Sequence, residues 1–314
     1  MKYIIAVEDK LRYLWELKLQ LFNLIVQRNI PATDIVVGIV FERGREKSEY
    51  SASLVKEFGI NIRYVPDMRT NKSYGATIKP YVMKYIMYYE KITEWCMQLD
   101  SDVIFNSNLD FSFLQDDNTW YMSNTNSYMN YDYIKSKSHV LHYYLAEAVG
   151  VDPLDIVRNN MNSGGAQIIF KGNDWKFWEK VEKDSLLIKE RAEKFNSTEL
   201  AFIPQEYKKD YNGFQIWCAE MWGTLWNCWL SGYKSKIVQE LDFCMATDSY
   251  KKFKDVKIFH NAGVIKESKG LFRKLDYDKE EPYKKDFSGI DKNRASYGYV
   301  ELINDYNKWS LGQI

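Results

Sequence analysis

The chain has 314 residues, 46% hydrophobic and 27% charged, which suits a globular protein with a sizeable core, either one large α/β domain or two small ones. Its 43 acidic residues balance 43 basic ones, so no global field draws it toward nucleic acid or anionic lipid, although a local basic patch is compatible with that total. Cys96, Cys218, Cys228 and Cys244 lack C-x-x-C spacing, which argues against a zinc site or disulfide framework and for free thiols in a reducing compartment.

The first residues, Met1 to Asp9, are charged too soon for a signal peptide. No run approaches the roughly 20 apolar residues of a membrane span, and a soluble, cytoplasmic protein is expected. Residues 3–7 read as a buried strand. From 10 to 29, Leu11, Leu14, Trp15, Leu19, Phe22 and Val26 recur at helical spacing until Pro31. A second strand at 34–41, a short helix at 50–58, a third strand at 61–65, a helix at 77–90 and a fourth strand at 95–99 follow. This alternation predicts an α/β fold, a mostly parallel sheet covered by helices, whose ligands collect at the carboxyl ends of the strands.

Beyond 105 the alternation breaks. Residues 106–160 read as a meandering insert rich in Tyr and Asn, with one helix near 138–149. A strand at 167–170, helices at 174–195 and 214–231, and strands at 235–239 and 256–260 complete a domain over 1–270. Residues 271–314, poor in aliphatics until Val300, read as a tail packed on that domain.

Two stretches carry chemistry. Asp100 and Asp102 close the fourth strand with one residue between them. In extended chain, alternate residues face the same way, so both carboxylates can face one hard divalent cation. Such a cation neutralises a leaving diphosphate when an activated sugar is transferred. Ser101 either points away or lines the sugar. The alternative reading is a polar turn between two strands. The second stretch runs from Lys257 to Lys266, where His260 ends an apolar strand. An imidazole beside carboxylates suits Mn²⁺ better than Mg²⁺, though Mg²⁺ is compatible. Gly263 lets backbone approach a phosphate, and Lys266 offers a cation to it. The plainer reading is a hydrogen-bonded strand-end His with a surface Lys.

Asp100-Ser101-Asp102 after an apolar strand, Asn162-Ser163-Gly164-Gly165 before another, and the late His260, Gly263 and Lys266 together resemble glycosyltransferase family 8. The resemblance covers roughly residues 1–270. It implies a GT-A fold, a metal held by Asp100, Asp102 and His260, and Lys266 on the donor diphosphate. It also implies donor contacts from Lys79 and from the Asn162, Ser163 and Gly164 turn. Glu220 falls where the family carries an acidic residue near the sugar and acceptor. Met221 stands where inverting relatives carry an Asp base, which implies retention of configuration.

The chain departs from the family at Asn261 and Ala262, and no Pro-Trp follows Lys266. The expected activity is Mn²⁺-dependent transfer from a nucleotide-sugar, a UDP-sugar by family habit, to a glycan, a protein, a lipid-linked saccharide or a modified DNA base. Two other readings keep the sheet: a nucleotidyltransferase activating a sugar phosphate, and a non-catalytic sugar- or protein-binding module. The first usually has a Gly-rich basic loop after strand one, and Glu8-Asp9-Lys10-Leu11 offers none.

Overall fold

A computed structural model describes residues 1–313. In chain order the elements are β1 (Lys2–Glu8), α1 (Leu11–Leu21) with a π-helical turn (Phe22–Gln27), β2 (Ile35–Phe41), α2 (Glu49–Phe58) and β3 (Asn61–Pro66). Then come α3 (Ile78–Glu90), β4 (Cys96–Leu99), β5 (Val103–Phe105), β6 (Thr119–Asn124), α4 (Tyr131–Lys137), α5 (Leu141–Val149) and α6 (Pro153–Arg158). The chain continues through β7 (Gly164–Phe170), α7 (Trp175–Phe202), α8 (Ala219–Leu230), β8 (Lys234–Ile237), β9 (Phe243–Met245), α9 (Tyr250–Asp255), β10 (Ile258–His260) and α10 (Ala295–Ser310). The fold is α/β, with a seven-stranded, mostly parallel sheet and a separate three-stranded one. The chain divides into two compact units, Met1–Met68 with Met97–Phe113 and Gln239–Ile314, and Arg69–Cys96 with Leu114–Val238.

In the first unit the strands of the large sheet run β3-β2-β1-β4. β1 pairs in parallel with β2, and β2 with β3. β2 is buried from Ile35 to Val40, the continuous apolar run expected of a parallel strand covered on both faces. β3 lies at the edge, where Pro66 costs no ladder bond. The small sheet has the order β5-β10-β9. β10 runs antiparallel to β5 and parallel to β9. α10 buries Tyr299, Val300, Leu302, Ile303 and Tyr306. At Gly298 a Cβ would fall 2.3 Å from the Phe253 ring, so a side chain there would push α10 off α9. The tail expected at 271–314 thus supplies a packed helix to this unit.

In the second unit β6 pairs antiparallel with β7 and parallel with β8. Trp120 of β6 stacks on Phe170 of β7, their ring centroids 4.8 Å apart, and both are buried. The stretch 106–160 is more ordered than the meandering insert expected: the helix expected near 138–149 forms as α5, and β6, α4 and α6 form as well. β6 has no Val or Ile, and five of its six residues are buried, so it shows no alternation to read. The expected helix at 10–29 also differs, since after Leu21 it opens into a π-helical turn. β9, only three residues long, had no pattern to find.

Candidate functional site

The chain between β4 and β5 is a tight turn, closed by the Val103 N–H donating to the Asp100 carbonyl at 3.2 Å. Asp100 and Asp102 therefore converge through a turn, not through the alternation of an extended strand. His260 comes to them by sheet register. β10 pairs His260 with Val103, and the next bond of that ladder runs from the Asn261 N–H to the Asp102 carbonyl at 2.9 Å. His260 Nε2 lies 3.3 Å from Asp102 Oδ1 and 3.8 Å from Asp100 Oδ2. One ligand atom from each of the three lies within 4.8 Å of the others.

A polar face of α1 holds this turn. Glu16, Gln20 and Asn23 are all buried and recur at i, i+4 and i+7, one side of a helix. Gln20 Nε2 donates to the carbonyls of Asp100 (2.7 Å) and Val103 (2.8 Å). Asn23, in the π-helical turn, donates to the Phe105 carbonyl and accepts from the Phe105 N–H. Glu16 accepts from the Ser101 hydroxyl at 3.0 Å, so Ser101 turns inward. Arg12 lies 3.7 Å from the other oxygen of Glu16.

Sequence reasoning missed Lys274. Its ammonium bonds Asp102 Oδ2, leaving Oδ1 toward His260. Lys274 follows Phe272, a fully buried ring edge-on to Trp15 at 6.2 Å, and that anchor fixes where the lysine enters the cluster. No short motif announces it; its only signal is the apolar pair Leu271-Phe272 just ahead of the charges of the tail.

The charges shift one another. Burial alone would raise Asp102, but Lys274 and His260 outweigh it and hold the carboxyl well below its ordinary range. Burial would lower His260, yet Asp102 and Asp100 raise it. Lys274 is likewise lowered by burial but raised, to about 12, by Asp102 and Glu16. Burial pushes Glu16 up to about 7, against the pull of Lys274. Two carboxylate oxygens and a ring nitrogen are a donor set that fits a divalent cation once His260 is neutral.

Gly263 has φ +84°, a left-handed turn that favours glycine, and Lys266 beyond it is exposed.

The remaining expected residues lie in the second unit. Lys79 of α3 lies 3.4 Å from Glu220 Oε2 at the start of α8. Glu220 Oε1 accepts from Thr224 at 3.1 Å, and its N–H donates to the Tyr74 hydroxyl at 3.0 Å. Tyr74 in turn donates to the Trp217 carbonyl at 2.6 Å. Asn162 is exposed in a 3-10 turn, its carbonyl held by the Ser235 hydroxyl at 2.7 Å. Ser163 is buried and donates to the Asn159 carbonyl at 3.1 Å. Gly164 opens β7, where a Cβ would fall 2.4 Å from that of Met122. A Cβ on Gly165 would fall 2.7 Å from the Met221 methyl, so the 162–165 turn and the start of α8 adjoin. Trp222 and Trp226 are core, whereas Trp217 is 57% exposed.

No known family profile matches the sequence, and no curated protein matches it. Among solved structures, the bifunctional glycosyltransferase WbbM in its apo form aligns with all of this chain at 11% identity and a TM-score of 0.48; the chain spans about half (51%) of that protein. An active-site mutant of LgtC aligns over 97% of this chain and 96% of its own, at 14% identity and a TM-score of 0.48. Mouse xyloside xylosyltransferase 1, apo, aligns over 84% of this chain and 98% of its own, at 13% identity and 0.38. The functional argument rests on this chain's own residues.

Proposed function

We propose that this chain is a metal-dependent glycosyltransferase of the GT-A type, transferring a sugar from a nucleoside-diphosphate sugar with retention of configuration. One observation carries the reading: the Asp100, Asp102 and His260 ligand atoms lie within 4.8 Å of one another at the carboxyl end of a central strand. In this reading those three residues hold a divalent cation, Mn²⁺ by its mixed oxygen and nitrogen donors. Bound there, the cation supplies charge neutralisation to the leaving diphosphate.

The chain's own groups do the rest. Asp102 presents Oδ1 to the site because Lys274 holds Oδ2. Gln20 fixes the turn that carries both aspartates, Asn23 holds the end of β5 that follows it, and Ser101 acts through Glu16 on the same turn. Gly263 and Lys266 are assigned to the diphosphate, and Lys79, Asn162, Ser163 and Gly164 to the donor sugar. Glu220 orients the acceptor hydroxyl or stabilises positive charge at the anomeric carbon. The acceptor oxygen bonds that carbon on the face from which the diphosphate departs, and the diphosphate takes the proton. A separate protein base is then unnecessary.

UDP is the proposed carrier, and a glycan, protein or modified base the acceptor. The protein is proposed to act in the cytoplasm; among the described residues no helix is long and apolar enough to cross a membrane. The test is calorimetry of UDP with and without Mn²⁺, joined to a nucleotide-sugar screen for metal-dependent hydrolysis. Binding that needs Mn²⁺ and disappears in Asp102→Asn is expected. If no donor is bound or hydrolysed and Asp102→Asn changes nothing, the reading fails.

A further inference from the structure

A cavity of about 820 Å³ in the second unit is used by none of the residues assigned above. It sits where β7 ends and β6 and β8 begin, with Lys171, Asn118 and Tyr233 at its wall. The 162–164 turn lies at the other end of β7, roughly 20 Å away at about 3.3 Å per strand residue. Its size falls within the range of about 300–1,000 Å³ typical of ligand pockets.

The lining has a definite chemistry. Tyr88 and Tyr89, at the end of α3, are 55% and 62% exposed, unusual for large rings that lie side by side. Tyr88 stands edge-on to Tyr89 (centroids 5.0 Å apart) and edge-on to Trp175 (6.0 Å), so the three rings hold one another at fixed angles. Tyr233 is fixed by its hydroxyl, which donates to the Gly172 carbonyl at 3.1 Å. The polar groups are mostly spoken for. Lys171 pairs with Asp117 at 2.7 Å, and Asp174 caps α7 by accepting from the Lys176 and Phe177 N–H groups. The exception is the side-chain nitrogen of Asn173, which is buried and has no hydrogen-bond partner among the described residues. Asn173 is itself only half-buried in this lining, so its side chain sets an amide beside the wall of rings, a group able to meet a ligand's hydroxyls.

We infer that this cavity is a second carbohydrate site, for a neutral oligosaccharide. A pyranose presents an apolar C–H face that lies against an aromatic ring and a rim of hydroxyls that meets an amide. Tyr89, Trp175 and Asn173 offer both. The two lysines and two aspartates of the lining cancel, which disfavours phosphate, nucleic acid or an acidic glycan. The inference stands apart from the transferase reading, since Asp102 has no part in it.

The experiment is saturation-transfer NMR of the full chain with neutral tetra- to hexasaccharides of gluco, galacto, manno and xylo configuration. At least one series is expected to bind, with transfer from tyrosine and tryptophan protons. Its affinity is expected to fall about fivefold to tenfold in Tyr89→Ala, the loss of one stacked ring. Asn173→Ala should weaken the same series, while Asp102→Asn leaves it unchanged. Tyr89 is exposed, so its truncation leaves the fold intact, which circular dichroism checks. Silence from every series, or binding that survives Tyr89→Ala and Asn173→Ala undiminished, overturns the site. So does binding lost in Asp102→Asn, which would make it part of the donor centre.

Discussion

Asp102 and Glu220 are both buried carboxylates paired with a lysine, 4% and 3% exposed, yet their surroundings differ in kind. Around Glu220 lie Thr224, one turn along its own helix, Tyr74 on its backbone N–H, and the ammonium of Lys79. Around Asp102 both oxygens meet cationic or titratable groups, His260 on one and Lys274 on the other. Asp100 adds further negative charge beside it, and Glu16 a buried carboxyl that keeps its proton up to about pH 7. A carboxylate satisfied one-to-one is held in place. A carboxylate set among other acids attracts a cation, because clustered negative charge is costly until something neutralises it. On the proposed reading, that difference separates a metal-binding role from an orienting one.

The strongest way to break that comparison is Asp102→Asn. It removes a ligand oxygen's charge and leaves Lys274 and His260 facing a neutral amide. Mn²⁺ binding by calorimetry should vanish, and metal-dependent turnover of the donor should fall by about a thousandfold or more. Retained Mn²⁺ affinity would make the cluster an ordinary ion-pair network. Glu220→Gln should act differently, lowering kcat about a hundredfold while Mn²⁺ affinity stays at the parent value. If both substitutions abolish metal binding, the two carboxylates do not have separate roles.

Lys274→Met asks what the lysine does for the Asp102 cluster. Without it, Asp102 and Glu16 keep their burial and lose their cation, and the metal-free protein should lose about 2–4 kcal/mol of stability. Added Mn²⁺ should then raise the melting temperature more in the variant than in the parent, since a divalent ion supplies the missing charge. Equal shifts in the two proteins would mean that Lys274 and the cation do not share a site.

Glu16 gives the cluster a pH signature. Its carboxyl titrates near 4.5 unfolded and is raised to about 7 in the folded chain. Between those values the folded state keeps a proton that the unfolded state releases, so stability falls as pH rises through the window. The loss is on the order of 3 kcal/mol in the metal-free protein. Chemical denaturation at several pH values should show that slope in the parent and a flatter profile in Glu16→Gln. An unchanged slope would place the titration elsewhere.

How legible these regions were follows from the same physics. The α/β alternation through β4 could be read because each strand is a short apolar run and each helix has a period. The grouping of Asp100, Asp102 and His260 was legible because its residue types are chemically restricted. Its geometry was not: the aspartates meet in a turn, and His260 arrives through the register of a three-residue strand. The supporting side chains were hidden for a further reason. Glu16, Gln20 and Asn23 look like solvent-facing positions of an amphipathic helix until the turn they clamp is seen. β6 was lost because burial of five of its six residues leaves no alternation.

The two lysines give the smallest effect and the finest test. Lys266 was legible by its spacing from His260, and it is exposed; Lys274 was not, and it lies against Asp102. If position in the motif decides function, Lys266→Met weakens UDP binding in the presence of Mn²⁺ by about tenfold or less, the worth of one solvated cation on a phosphate. Its melting temperature should match the parent, because an exposed lysine carries little stability. Lys274→Met should invert the pattern, with stability lost first. Calorimetry and melting curves on both variants separate the cases. If Lys266→Met leaves UDP affinity untouched while Lys274→Met reduces it, the phosphate cation of this chain is the lysine from the C-terminal segment, and the exposed one is a surface residue.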